Sequence, residues 1–320
     1  TAADGSYAMQ TPAGNAQLTV ARANYETATS AVSVAAGEAK VQGASLRTAR
    51  VAASAAALTV VAPANQSRTR QLTLSNTGAL GTDVTVTELA ADGTPTDVGW
   101  LTLTGATGSL ASGGQHSVGL GFSTTGLTGG TYHQAKLKIS STSGRQPELV
   151  VPVTLVVPSY AMAVDAGATT GHGDVEGESW VGDQPYAAGG AGYLGNSAAK
   201  STSTAVQGTD DQARFRNQRE GMYEYRFDGL ADGTYTIELN FAELRNQAPD
   251  KRVFDVLIEG QQVLPSLDIA GEVGSFRALT KTYTVTVTDG QLNVRFVTHK
   301  GFGLPVINAL RVTNRPDLAS

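Results

Sequence analysis

Short runs in which apolar and polar residues alternate, each closed by turn-forming residues, recur along this chain and constrain its fold more than any other feature. Between 72 and 122, Leu72, Leu74, Val84, Val86, Val118, Leu120 and Phe122 fall on alternating positions between Gly, Asn and Thr-Gly turns. A period of two turns one face of each run toward a core, and strands spaced about ten residues apart are what a β-sandwich requires. The run YTIELNF at 235–241 alternates in the same way. VFDVLI at 253–258 is apolar on almost every residue, which predicts a strand buried on both faces. The polar loop between them, RNQAPDK at 245–251, is then presented at one end of a rigid sheet, where binding residues concentrate. TYTVTVT at 282–288 and QLNVRFV at 291–297 flank Asp289-Gly290, which predicts a hairpin with a two-residue turn. VINALRV at 306–312 supplies a last strand.

Composition agrees with an all-β chain. Charged residues are 16% of the sequence, while Gly, Ala, Ser and Thr are abundant, a mixture that suits turn-rich β structure. At 320 residues the chain predicts two or three domains. With 23 basic against 28 acidic residues it offers no basic field for nucleic acid. It contains no cysteine, which removes disulfides, thiolate chemistry and cysteine-ligated zinc. No apolar run approaches the roughly 18 to 20 residues that span a bilayer, so the chain is not expected to be membrane-spanning. TAADGSY at 1–7 reads like the middle of a domain, so a signal peptide and further domains are expected upstream.

Turn signals and strand runs divide the chain into three expected units. In the first, about 1–50, runs at 4–9, 16–20 and 31–34 are separated by Pro12-Ala-Gly14 and Ala36-Gly37. The stretch DGSYAMQTPAGNAQLTVARANYETATSAVSV resembles the later half of the carboxypeptidase regulatory-like domain, a β-sandwich module. That resemblance implies missing strands and exposed edges able to pair with a protein partner. An Ala-rich passage at 44–57 reads as a link. Residues 56–157 resemble an immunoglobulin-like module of secreted bacterial proteins, through LSNTG at 74–78, WLTL at 100–103, SLASG at 109–113, GTY at 130–132 and VVPVTLVV at 150–157. In that module Trp100 corresponds to a core tryptophan.

The third unit, 160–315, contains AVDAG at 163–167, GTDDQ at 208–212, DGTY at 232–235, FAE at 241–243, KRVFDV at 251–256, Asp268-Ile269 and INAL at 307–310. In order and spacing these resemble a malectin domain. The resemblance implies a jelly-roll-like β-sandwich that binds carbohydrate through loops at one end, although fold by itself does not prove that function. The fold class expected for the whole chain is therefore all-β, as serial β-sandwich domains.

Searches for catalytic chemistry return nothing. His116, His133, His172 and His299 are scattered, with no His-Glu-x-x-His zinc pattern and no Gly-x-Ser-x-Gly elbow, and they read as surface or turn residues. Asp210, Asp211, Glu243 and Asp255 are the carboxylates from which a glycosidase pair would be drawn. The plainer reading of Asp255 is a buried carboxylate paired with Arg252 or Arg219. Asp174, Glu176 and Glu178 alternate in a Gly-rich segment where oxygen ligands for a hard cation could gather, but a solvated acidic loop is the simpler reading, so no metal site is assigned. GGAG at 189–192 lacks the helix a dinucleotide site needs, and no cofactor is expected.

A pyranose offers an apolar face to aromatic rings and hydroxyls to amides, carboxylates and guanidinium groups. The malectin resemblance implies contacts from tyrosines in the early loops, an aromatic pair after the Phe-Ala-Glu element, and an aspartate before the last strand. Carried over, these fall on Tyr193, on Glu220 beside Arg219, on Arg245 and Asn246, and on or near Gly303 beside Phe302. Most of the implied stacking rings are thus replaced. The candidate ligand-binding set is Tyr186, Tyr193, Arg219, Glu220, Arg245, Asn246 and Phe302, with the alternative that Arg219 and Arg245 pair with Glu220, Glu243 or Asp250 and only order the loops.

These readings combine into one expectation: a non-catalytic, extracellular accessory region that binds carbohydrate or glycoprotein and resembles the C-terminal part of a secreted subtilisin-like peptidase. The alternative is a structural or assembly component of the cell surface acting through protein contacts.

Overall fold

The computed structural model describes Ala2 and residues 5–174 and 177–318. Asp4 of the first predicted run and Glu176 of the acidic segment lie outside these described residues. Apart from two five-residue α-helices and one 3-10 turn, the regular structure described is β. The chain divides into two compact units, one of residues 1–58, 70–121 and 134–153, the other of 59–69, 122–133 and 154–320.

In chain order the first strands are β1 (Gly14–Val20), β2 (Ala28–Val34), β3 (Val51–Ala53), β4 (Leu58–Val61), β5 (Ser67–Asn76), β6 (Thr82–Ala90), β7 (Leu101–Thr104), β8 (Thr107–Leu110), β9 (Gln115–Ser123), β10 (Thr131–Ser141) and β11 (Glu148–Val157). Within the first unit, β6 pairs antiparallel with β10 on one side and with β8 on the other, and it alternates as its sequence requires, with Val84 and Val86 buried. The Ala-rich link is shorter than its composition predicted. Val51–Ala53 pair with Leu74, Ser75 and Asn76 of β5, because Val51 finds a buried position there. Trp100, expected in the core, is only half-buried: it lies in the turn before β7, and Leu101 takes the inward position. Strands β1 and β2 form a two-stranded sheet of their own, registered from Gly14↔Val34 to Val20↔Ala28, and of their residues only Leu18 is buried.

The second unit continues with β12 (Ala161–Asp165), β13 (His172–Gly173), β14 (Ser179–Gly182), β15 (Ala191–Leu194), β16 (Ala198–Ser201), α1 (Gln212–Arg216), β17 (Asn217–Glu220), β18 (Glu224–Asp228), β19 (Gly233–Phe241), β20 (Phe254–Ile258), β21 (Gln261–Leu267), α2 (Ile269–Val273), β22 (Leu279–Val287), β23 (Gln291–Thr298), β24 (Val306–Ile307) and β25 (Ala309–Asn314). A six-stranded sheet in the order β13-β14-β12-β25-β19-β22 faces a core shared with the five-stranded sheet β15-β18-β23-β20-β21. The small sheet β16-β17-β24 sits with them. Tyr235, Ile237, Leu239 and Phe241 of β19 and Phe254, Val256 and Ile258 of β20 enter that core from the two sheets.

Two sequence expectations fail here. Residues 282–288 and 291–297 are not hairpin partners: β22 pairs with β19 over nine residues, from Gly233↔Val287 to Phe241↔Leu279, while β23 lies between β18 and β20 in the other sheet. Asp289-Gly290 carries the chain across the sandwich, with Gly290 at φ 77°. Alternation and a turn signal are the same whether two strands face one core from one sheet or from opposite sheets, so pattern alone could not separate the cases. Residues 253–258 likewise bury one face only, since Asp255 and Leu257 are half-exposed on the outer side of β20. The loop 242–253 therefore also crosses between sheets, at one end of the sandwich.

Asn308, between β24 and β25, holds this end together. Its Oδ1 accepts from the Ala242 N–H at 2.6 Å, and its Nδ2 donates to the carbonyls of Phe215 and Asn217 at 3.0 and 2.8 Å. It is fully buried, so no water replaces those bonds. Asn308→Ala should lower unfolding free energy by about 2–4 kcal/mol in urea denaturation, the cost of stranding several buried backbone groups.

Candidate functional site

The loops at this end are organised by a carboxylate that sequence reading passed over. Asp183 Oδ2 accepts from the Gly167 N–H at 2.7 Å, the Arg219 Nε–H at 2.7 Å and the Tyr225 hydroxyl at 3.0 Å. Burial raises the Asp183 pKa against the pull of these donors. Burial also draws Arg219 down, but Asp183 outweighs it and the guanidinium stays firmly cationic. Burial, followed by the Asp183 charge, pushes the Tyr225 hydroxyl well up. Gly167 adopts φ 85°, and a Cβ there would lie 2.3 Å from the Gln218 carbonyl oxygen, so the AVDAG turn requires glycine.

From this anchor the structure shows what became of the predicted ligand residues. The Arg219 guanidinium lies 3.8 Å from the centre of the Tyr193 ring, and Tyr193 also meets Tyr225 edge-on. Tyr186 is half-buried, donates its hydroxyl to Asp228 at 2.6 Å and carries Arg226 5.1 Å from its ring centre. Both tyrosines thus have a face taken by an arginine. Arg252, expected beside Asp255, instead donates from Nε to Glu243 at 2.7 Å and from NH2 to Glu220 at 3.2 Å, and it caps the Leu304 carbonyl. Glu220 also accepts from Arg245 at 3.2 Å, and Glu243 holds the Arg245 N–H at 3.0 Å. Asp255 is paired with His299 at 2.8 Å and accepts from the Ser266 N–H at 2.8 Å; Arg219 is committed to Asp183. Asn246 is exposed beside Arg245.

Exposed rings remain at the same end. Phe302 is 40% exposed in the turn closed by its N–H to the His299 carbonyl, and Gly303 N–H donates to the Lys251 carbonyl. Tyr223, absent from the predicted set, is 49% exposed, and its ring packs over Gly195. Leu304 lies against Gly221 between them in the chain of contacts. The sequence signal for Tyr223 was ambiguous, because it shares parity with the core residue Tyr225; it precedes the first residue of β18 and so escapes burial.

A cleft of about 580 Å³ opens elsewhere, between the 165–172 turn and β16, lined by Asp165, Thr169, Thr170, His172, Lys200 and Asn217 among others. Asp165 accepts from Asn217 at 3.2 Å and lies 3.2 Å from His172 Nδ1. Beside it the predicted solvated acidic loop proves to be a half-buried charge network. Asp174 accepts from the Glu178 N–H, the Trp180 indole and Arg214, and Glu178 pairs with Arg311 at 2.6 Å. The cause is Trp180, fully buried with Arg214 4.5 Å from its ring centre, which draws the segment onto the sheet. His172 and His299, read as surface or turn residues, are both engaged by carboxylates. Among the described residues, no group of three or more His, Cys, Asp or Glu could hold a metal ion, and no helix is long and apolar enough to cross a membrane.

The fold and this site describe a two-sheet β-sandwich with polar loops gathered at one end. Residues 160–316 match the family model described as the Malectin domain. The chain is 31% identical over 138 residues to a kinesin-like protein KIN-14E of Oryza sativa subsp. japonica, covering 40% of this chain and 12% of that protein. It is 31% identical over 88 residues to malectin of Mus musculus, covering 27% of this chain and 30% of malectin. The chain therefore spans a third or less of these relatives. A solved structure of Bacteroides uniformis beta-glucuronidase overlaps 83% of this chain and 30% of its own, with 22% identity and a TM-score of 0.43, a likeness too weak to bear on function.

Two measurements test the electrostatics. Arg252→Ala strands the buried Glu243 and half of the Glu220 pairing, and should cost about 3–5 kcal/mol in chemical denaturation. The Asp165 pKa is raised to about 7, first by burial and then by Asp211 and Asp183, against the Asn217 hydrogen bond. A carboxyl raised on folding stabilises below its unfolded pKa of about 3.9, and that stability is lost as pH rises through the folded value. Asp165→Asn should flatten the fall in melting temperature between about pH 4 and 7 relative to the parent.

Proposed function

We propose that the second unit binds carbohydrate through its loop end, without catalysis, as an extracellular accessory module. The observation that carries this reading is the gathering of exposed Tyr223 and Phe302 with the polar groups of Arg245 and Asn246 at the end of a domain that matches malectin. Rings and fixed polar groups together fit the two kinds of surface a pyranose presents. The candidate set changes in emphasis: Tyr193, Tyr186 and Arg219 shape and support the site, Glu220 positions Arg245, and Tyr223 joins Phe302 as a stacking surface. In this proposal residues 1–50, 56–157 and 160–315 are three modules in series, and the chain holds a secreted subtilisin-like peptidase near polysaccharide or glycoprotein by raising local concentration.

Glycan-array and calorimetric binding on the intact 320-residue chain test the reading. Tyr223→Ala and Phe302→Ala should each weaken a positive saccharide about tenfold, by loss of apolar contact area. Silence across cell-wall, plant and animal glycans would overturn it. A second reading is favoured by one observation, the separate two-stranded sheet β1-β2 with its unpaired edges: the first unit pairs strands with a protein partner at the cell surface. Light scattering that finds only monomer, with no partner in native material, would remove that reading.

A further inference from the structure

We infer that the saccharide taken by this loop end is anionic, a pyranose bearing a carboxylate or a sulfate. The inference rests on the carbohydrate reading above and names its ligand class. Its starting point is Arg245, which stands where the malectin resemblance implies a stacking ring. Arg245 is pinned at both ends: its backbone N–H to Glu243 Oε1 at 3.0 Å, and one guanidinium nitrogen to Glu220 Oε1 at 3.2 Å. Glu220 is itself fixed by Arg252, and Arg252 by Glu243. The side chain of Arg245 is nevertheless 50% exposed. Its guanidinium is therefore held in place while the side chain stays half in solvent, which is the arrangement that receives two oxygens of a carboxylate or a sulfate through parallel hydrogen bonds.

Two exposed lysines on the adjoining loops add positive charge nearby. Arg252 is spent on Glu243 and Arg219 on Asp183, so the buried pairs cancel. At the surface, Lys251 and Lys300 are exposed and neither has an acid within 4 Å among the described residues. Their loops touch, through Gly303 N–H on the Lys251 carbonyl, and exposed Phe302 precedes Gly303 in that loop with its ring edge-on to His299. Arg245 is offset by its partly exposed partner Glu220, and the surplus at these loops is Lys251 and Lys300 against one exposed acid, Asp250. A neutral sugar would leave these donors to water. An anionic one engages them while Phe302 covers its apolar face.

The test titrates the intact chain with trisaccharides of galacturonate, glucuronate and mannuronate, with their neutral carboxyl-reduced counterparts, and with a sulfated neutral trisaccharide. At least one uronate or the sulfated probe should bind tenfold or more tighter than its neutral counterpart, weaken with added salt, and lose at least about tenfold on Arg245→Ala, with Arg245→Lys intermediate. Uronate against sulfate preference identifies the anion. Because Arg245→Ala also uncovers the Glu220 charge, the double variant Arg245→Ala/Glu220→Gln separates the causes: binding that stays lost supports direct contact, and binding that returns overturns it. Equal affinity for charged and neutral probes overturns the inference and leaves carbohydrate binding standing. Binding of no probe, together with a silent glycan array, overturns both.

Discussion

A buried carboxylate that must be neutralised, Asp183, sets the geometry of the malectin-matching unit. Removed from water, it is tolerable only because a backbone N–H, a guanidinium and a phenol converge on one oxygen. Those three donors tie together three separate pieces of chain: the 165–167 turn, β17 and β18. The Gly167 turn is pressed against β17 so closely that no side chain fits, and Arg219 is drawn inward until it covers Tyr193. The ring that resemblance would offer to a sugar is thereby closed by the demand of the charge beneath it.

The remaining charges step outward from that point. Glu243 and Arg252 are almost wholly buried and satisfy one another; Glu220 is partly exposed and shared between Arg252 and Arg245; Arg245 is half in solvent. Each group is held by the one deeper than itself. Exposed ion pairs contribute about 0 to 1 kcal/mol because solvent screens them and their side chains lose entropy. Here the entropy of the outermost arginine is already reduced by the inner pairs. A rigid, half-exposed guanidinium is useful for recognition for that reason.

Much of this was legible in the sequence, and the failures have physical causes. The alternation of YTIELNF placed Tyr235, Ile237, Leu239 and Phe241 in the core, where they are. The same rule could not choose between a hairpin and a crossing of the sandwich at Asp289-Gly290, because both present the same face to the same core. FAELRN placed Arg245 and Asn246 at the loop end, but ion-pair partners depend on which loops meet: the sequence offers Arg252 or Arg219 to Asp255, whereas Glu243 and Glu220 hold Arg252 and Asp183 holds Arg219. Asp183 sits in an unpatterned stretch, GDQP at 182–185, and nothing local marks it as a hub. Tyr223 and Tyr225 are indistinguishable by parity; only the start of β18 separates an exposed ring from a buried one.

The two polar features of the unit share a strand, and that limits how independently they can behave. Asn217, at the start of β17, hydrogen-bonds Asp165 on the cleft, and Glu220, at its end, holds Arg245 on the rim. Between them Arg219 reaches Asp183, whose same oxygen also accepts from the Gly167 N–H on the turn that follows Asp165. Burial raises the Asp165 pKa, and the Asp211 and Asp183 charges add to it. The cleft and the rim are thus joined through one short strand, β17, whose residues serve both.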